Sequence, residues 1–140
     1  MVLELLRLII DFGFMVLIWA VQLVIYPSFK YYNSSNLILW HQTYTKRVTV
    51  IVLPLMVTQL LLSVFHFFEI LNWYSIVSFA IILMLWALTF LIFVPLHVSI
   101  DKGNPAENVC VKLVQKNWVR TCLWSLLFFI SLFYFLSIQK

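Results

Sequence analysis

Four long apolar stretches constrain this chain more than anything else in it. The first runs from near Leu3 to Tyr26 and stops at Pro27; the second, Val48 to Phe68, carries no Asp, Glu, Lys or Arg. The third covers about Tyr74 to His97, and the fourth begins near Trp118 and ends by Ile138. A helix needs about 20 largely apolar residues to cross a bilayer. Backbone in hydrocarbon must satisfy its own polar groups, so such runs span as helices. Four of them within 140 residues predict an all-α fold: one four-helix transmembrane domain over residues 1–140, with no separate soluble domain.

Charge agrees with that solvent. Only 10% of the residues are charged, against about 25% in soluble domains. A net charge of +4 would suit nucleic acid, but the charges flank the apolar runs. That is the pattern of topology signals and headgroup contacts, so the expected partner is the lipid bilayer and not nucleic acid. Lys30, Lys46, Arg47, Lys102, Lys112, Lys116 and Arg120 fall on one side; Arg7 and Lys140 fall on the other. The bias predicts a multi-pass protein of the cell membrane with both termini outside and both long loops cytoplasmic. The N-terminal run contains Glu4, Arg7 and Asp11 and no small-residue cleavage site, and so reads as a span and not a signal peptide. Cys110 and Cys122 fall in one helix about 18 Å apart, too far to bridge.

The two loops on the basic side carry patterns of their own. Asn104-Pro105-Ala106-Glu107 reads as a helix start, with Asn as cap and Glu three residues on. Ala106, Val109, Cys110, Leu113 and Val114 then form an apolar stripe, with Lys112 and Lys116 on another face. No Gly or Pro follows, which predicts one long helix whose first part lies against the bundle or the headgroups. Asn36 to Arg47 forms a second amphipathic segment, with Ser34 or Ser35 as its cap.

Three histidines do not make one metal set. Along a continuous helix His41 and His66 stand about 37 Å apart, so His66 belongs to the opposite membrane face. His41 and His97 occupy similar depth and can meet between helices packed about 8–10 Å apart. Such a pair can act as acid and base, or ligate haem iron or another metal. Haem, a quinone or no cofactor at all stand as equal alternatives. Pro27, Pro54 and Pro95 all lie toward the same side; Pro54 and Pro95 free the carbonyls of Val50 and Leu91. Helices bent or ended on one side predict a cavity there. Around it gather Tyr26, His41, Tyr44, Arg47, His97, Asn117, Trp118, Arg120 and Trp124, suited to a flat, lipophilic, partly polar molecule. Trp118 and Trp124 also fit an interfacial aromatic belt.

A second polar set lies toward the other face. Glu4, Arg7 and Asp11 fall at helical spacing, with Gln22 roughly in line, and Gln59, Ser63 and His66 share a face of the second span. Either these groups lock helices together, or Asp11, His66 and Glu69 make an ion path.

The segments Gln22–Pro27, Trp40–Tyr44, Arg47 through Met56, Pro95-Leu96-His97 and Asn117–Thr121 resemble a set of small four-span bacterial membrane proteins. That set is remotely similar to the anthrone-oxygenase-like family, which oxidises fused-ring aromatic anthrones to quinones without an obvious cofactor. The resemblance implies roles for His41, Tyr44, Pro95, His97, Asn117, Trp118 and Arg120.

The expected function is a membrane-embedded oxidoreductase or binder of a lipophilic ring compound, a quinone or aromatic metabolite. His41, His97, Arg120 and Asn117 would be catalytic: the histidines as acid–base or ligating pair, Arg120 and Asn117 holding a carbonyl or oxyanion. Tyr26, Tyr44, Trp118 and Trp124 would bind the ring. One alternative is a non-catalytic accessory subunit, as a homodimer or beside a larger membrane partner. The other is an ion-coupled transporter, for which four spans suffice only in a dimer, and no inverted repeat relates the halves. Gly-rich phosphate loops, zinc helix motifs and nucleophile elbows are absent from the sequence, which leaves little room for hydrolase, kinase or nucleotide-binding readings.

Overall fold

The computed structural model describes residues 1–105 and 107–139. Four helices account for its spans: α1 (Val2–Tyr31), α2 (Ser34–Glu69), α3 (Trp73–Asp101) and α4 (Val109–Ser137). They pack as a ring in which α1 and α3 each lie between α2 and α4. The result is an all-α four-helix bundle. One end, called here the basic end, carries the connections at 32–33 and 102–108; the other carries the termini and the 70–72 turn.

The bundle keeps its polar side chains inside, set within an apolar core, and turns apolar side chains outward. Arg7, Asp11, Gln22, His41, Gln59, His66, Asn117 and Arg120 are buried, while Val24, Leu61, Leu91 and Phe133 are exposed. In water that distribution would be ruinous; against lipid it satisfies every helix, because a polar side chain finds partners only among other helices. The four apolar helices therefore mark a bilayer environment.

Helix ends follow local chemistry, and several differ from expectation. The cap of α2 is Asn33, whose side chain accepts from the Asn36 N–H at 2.9 Å, and not Ser34 or Ser35. Residues 36–47 are not a separate interfacial segment but the first turns of α2, which runs unbroken through Pro54. Asn104 does not open α4. Gly103, at φ +69°, reverses the chain, and the Asn104 N–H closes onto the Ser99 carbonyl at 3.1 Å, so both residues serve the end of α3. Asn108 precedes the first turn of α4, and the Ala106 part of the expected start lies outside the described residues. From Val109 onward α4 is the single long helix its sequence predicts. Asn72 and Ser75 form a reciprocal capping box at the start of α3.

Pro27 does not end the first span. A π-turn over Val21–Ile25 precedes it, the Tyr26 N–H reaches the Val21 carbonyl, and the helix continues to Tyr31. Pro95 is preceded likewise by a π-turn over Thr89–Phe93, with the Val94 N–H on the Thr89 carbonyl. Proline removes an N–H and crowds the carbonyl four residues back; a widened turn absorbs both faults and adds a residue to the helix face. Each insertion re-aims the side chains that follow it, Tyr26 on α1 and His97 on α3.

Toward the terminal end, Asp11 accepts from Gln59 at 2.7 Å and from Ser131 at 2.5 Å, tying α1 to α2 and α4. Arg7 donates to Ser78 at 2.6 Å and lies 4.4 Å over the Tyr74 ring, tying α1 to α3. His66 packs against Tyr74 and Tyr134. The expected Asp11–His66–Glu69 path is not assembled: Asp11 is committed to Gln59 and Ser131, and Glu69, the last residue of α2, is exposed. These contacts lock the bundle. Asp11→Ala is expected to lower stability by about 1–3 kcal/mol for the Gln59 amide it orphans, with a smaller loss for Asp11→Asn. Thermal unfolding in detergent reads both.

Candidate functional site

The two π-turns and the long N-terminal extension of α2 bring four groups into one line at the basic end. The Tyr26 hydroxyl is 2.9 Å from His97 Nε2. His97 Nδ1 is 2.8 Å from His41 Nε2, and His41 Nδ1 is 2.7 Å from the Asp101 carboxylate. With the carboxylate accepting and both rings neutral, the line has one direction. A carboxylate only accepts, so His41 Nδ1 carries its proton and donates to Asp101. Neutral His41 then accepts at Nε2, His97 donates from Nδ1, and His97 Nε2 accepts from the Tyr26 hydroxyl. Every donor finds one acceptor with both rings neutral.

Asp101 is held in place by its neighbours. Thr45 donates to its second carboxylate oxygen at 3.1 Å, and Gln42 donates to its backbone carbonyl at 2.7 Å. The Phe29 ring stands edge-on to His41 and to Tyr44, sealing the histidines from above. His41 is 0% exposed and the Asp101 side chain 28% exposed, so water meets the line chiefly at its carboxylate end.

All four ring nitrogens are thereby engaged. The pair forms part of one continuous hydrogen-bonded line, each ring nitrogen facing a neighbour within it. Among the described residues no cluster of three His, Cys, Asp or Glu is placed to hold a metal ion.

Behind the relay lies a cavity of about 290 Å³ between the helices. Tyr26, Tyr44, His97, Arg120 and Trp124 line it, with apolar walls from Phe14, Ile18, Val52, Met56 and Phe93. Arg120 is buried with no carboxylate bridged to it among the described residues. Its guanidinium lies 4.1 Å over the Phe93 ring and 5.1 Å from that of Trp124, and beside the Tyr26 hydroxyl. Arg120 Nε, Trp124 Nε1 and Thr89 Oγ1 are buried polar atoms without a hydrogen-bond partner, and all three residues line this cavity. Buried donors are almost always paired. Two N–H groups without a partner thus belong to α4 residues beside the cavity.

Other residues expected at the site lie elsewhere. Asn117 does not reach the cavity: its amide donates to Gln22 at 3.0 Å, and Gln22 also takes the Thr121 hydroxyl and donates to the Val114 carbonyl. This knot fastens α1 to α4. Trp118 is 45% exposed and packs edge-on against Trp19, the belt position and not the ring-binding one. Arg47 is exposed. Trp124 is fully buried and stacks on Phe14 with centroids 4.8 Å apart.

No family model matches the chain, and no curated protein or solved structure matches it either. The sequence reading missed Asp101 and Thr89. Asp101 stands four residues after His97, one turn along the same helix face, which was a usable signal. Thr89 comes to the wall through a π-turn, which the spacing of an ordinary helix does not reveal.

Proposed function

We propose that this protein is a membrane-embedded oxidoreductase that binds a lipophilic ring compound in the cavity and moves its proton along the Tyr26–His97–His41–Asp101 line. The observation that carries this reading is the hydrogen-bonded line ending at a cavity beside a buried arginine that has no carboxylate partner among the described residues. A ring oxygen accepting from Arg120 Nε and Trp124 Nε1 would fill both orphaned donors. As its proton leaves, the growing negative charge is held by a fixed cation in a dry site, where such stabilisation is strongest. The Tyr26 oxygen takes that proton while giving its own to His97; the shift continues through His41 to Asp101, which meets water. A quinol that gives up both hydroxyl protons and two electrons leaves as the quinone; the electrons pass to dioxygen, which with two protons leaves as hydrogen peroxide. This accords with the implied likeness to the anthrone-oxygenase-like family, where ring oxidation needs no evident cofactor.

The excess of Lys and Arg at the relay end supports placing that end in the cytoplasm, with both termini outside. Protons would then exit to the cytoplasmic side.

The purified protein is expected to retain a ring compound visible in its absorbance spectrum, or to take up and convert an added quinol. Tyr26→Phe, which cuts only the link nearest the ligand, is expected to slow conversion by about tenfold or more. A colourless protein that binds neither quinone nor quinol, and whose variants differ only in stability, would instead establish the accessory-subunit reading.

A further inference from the structure

Five of the residues lining the cavity are exposed: Thr49 and Leu53 on α2, and Phe90, Val94 and Val98 on α3. The lining residues of α1 and α4 are buried or half-buried, among them Phe14, Ile18, Val21, Arg120 and Trp124. Among the described residues, the exposed part of the lining therefore lies between α2 and α3. Those helices pack together near the terminal end and again near the basic end. In between stand Pro54 on α2 and the Thr89–Phe93 π-turn on α3, the two irregularities that hold neighbouring helices apart. Toward the basic end the cavity is bordered by the joined side chains of Tyr26, His97, His41 and Asp101, with Phe29 against His41 and only the Asp101 carboxylate of these part-exposed to water.

We infer that the cavity is filled sideways from the bilayer, and that its ligand carries a hydrocarbon tail which stays in the gap between α2 and α3 while the oxygen-bearing ring reaches Arg120. This rests on the proposal that a ring compound occupies the cavity, and it names the class: a membrane-dissolved, tailed amphiphile.

Three observations carry it. The mouth is apolar, formed by Leu53, Phe90, Val94 and Val98, whereas the orphaned donors sit on α4 across the ring of helices. A molecule matching that gradient is polar at the inserted end and apolar at the trailing end. Next, Leu53 lies about 8 Å along the helix from Val48, where the uncharged part of α2 begins. That depth puts the mouth among acyl chains and not headgroups. Finally, about 290 Å³ falls at the small end of the roughly 300–1,000 Å³ usual for ligand sites. A ring fills it, and anything longer projects through the gap between α2 and α3, where the exposed lining residues stand.

The test uses full-length protein in phosphatidylcholine liposomes and a benzoquinone whose decyl tail carries a photoactivatable diazirine. Cross-links mapped by mass spectrometry are expected on the stretches 49–53 and 90–98, and are expected to vanish when excess tail-free benzoquinone competes for the ring site. Val94→Trp and Leu53→Trp, each placing an indole in the mouth, should each cut that labelling by about tenfold with unfolding temperatures near wild type. Two variants on different helices guard against one misfolding. If tail-free benzoquinone binds but the tail label falls on 102–105, or spreads evenly over lipid-facing Leu23, Leu61 and Phe129, lateral entry is wrong and the ring site stands. If tail-free benzoquinone neither binds nor competes, both readings fall together.

Discussion

Replacing Asp101 by Asn is expected to lower turnover by about 10²–10⁴-fold, the range that a positioned acid–base group supplies, while ring binding changes little. The amide has the shape of the carboxylate, so it can occupy the same place, accept from His41 Nδ1 and face Thr45, whose hydroxyl also reaches the His41 carbonyl at 3.0 Å. What it cannot do is take the proton. With Asn at position 101 the relay has no terminal acceptor, and a positive charge arriving on either imidazole has no adjacent anion to hold it. His41→Ala together with His97→Ala should abolish turnover altogether, because it removes the middle of the line. Asp101→Glu restores the charge with a longer reach and should recover part of the rate. The measurement is kcat alongside KM and the unfolding temperature in one detergent. A loss confined to kcat supports proton relay; unchanged kcat with a lowered unfolding temperature would reduce the four groups to a structural clasp.

How much of this was legible beforehand depends on which physical rule governed each residue. The spans were plain because hydrocarbon imposes one demand, length and apolarity, and the runs around Leu3, Val48, Tyr74 and Trp118 meet it. The meeting of His41 with His97 was legible for a related reason: each lies near the same end of its span, and a tight bundle leaves little choice of neighbour. Prolines misled. Pro27 reads as a stop under ordinary helix rules, but the widened turn before it lets the helix continue and turns Tyr26 inward. Asn117 and Trp118 misled through spacing. They sit three and two residues before Arg120 on one helix, and only contacts with α1, to Gln22 and Trp19, decide that they face away from the cavity. Side-chain pairing across helices is a tertiary property, and one sequence does not contain it.

Arg120→Met is expected to raise the stability of the protein and to weaken its hold on the ring compound, and the opposite signs are the point. A guanidinium costs about 2.5–3.5 kcal/mol at the centre of a membrane helix on insertion scales, and Arg120, though only two residues past Trp118, keeps much of that cost because it is buried. Its contacts over Phe93 and Trp124 offset about 2 kcal/mol of that. No carboxylate supplies the remainder among the described residues, so an apolar side chain of similar length should gain about 1 kcal/mol by comparison. A fold rarely retains such a charge without a use for it. On the proposed reading the ligand is that use: a hydrogen bond from a charged donor is worth about 1.5–3 kcal/mol, so affinity should fall by roughly 10–150-fold. Arg120→Lys separates charge from geometry. Its ammonium restores the positive field but lacks the planar Nε–H and stacks poorly between two rings, so it should recover only part of the affinity and none of the stability gained by Met. Unfolding temperatures with and without tail-free benzoquinone measure both quantities in one experiment. A wild-type protein stabilised by the quinone and an Arg120→Met variant that is intrinsically more stable yet indifferent to it would fix the arginine as the ligand's counter-charge. A variant that is less stable and binds unchanged would make the arginine a structural strut and leave the cavity without its polar anchor.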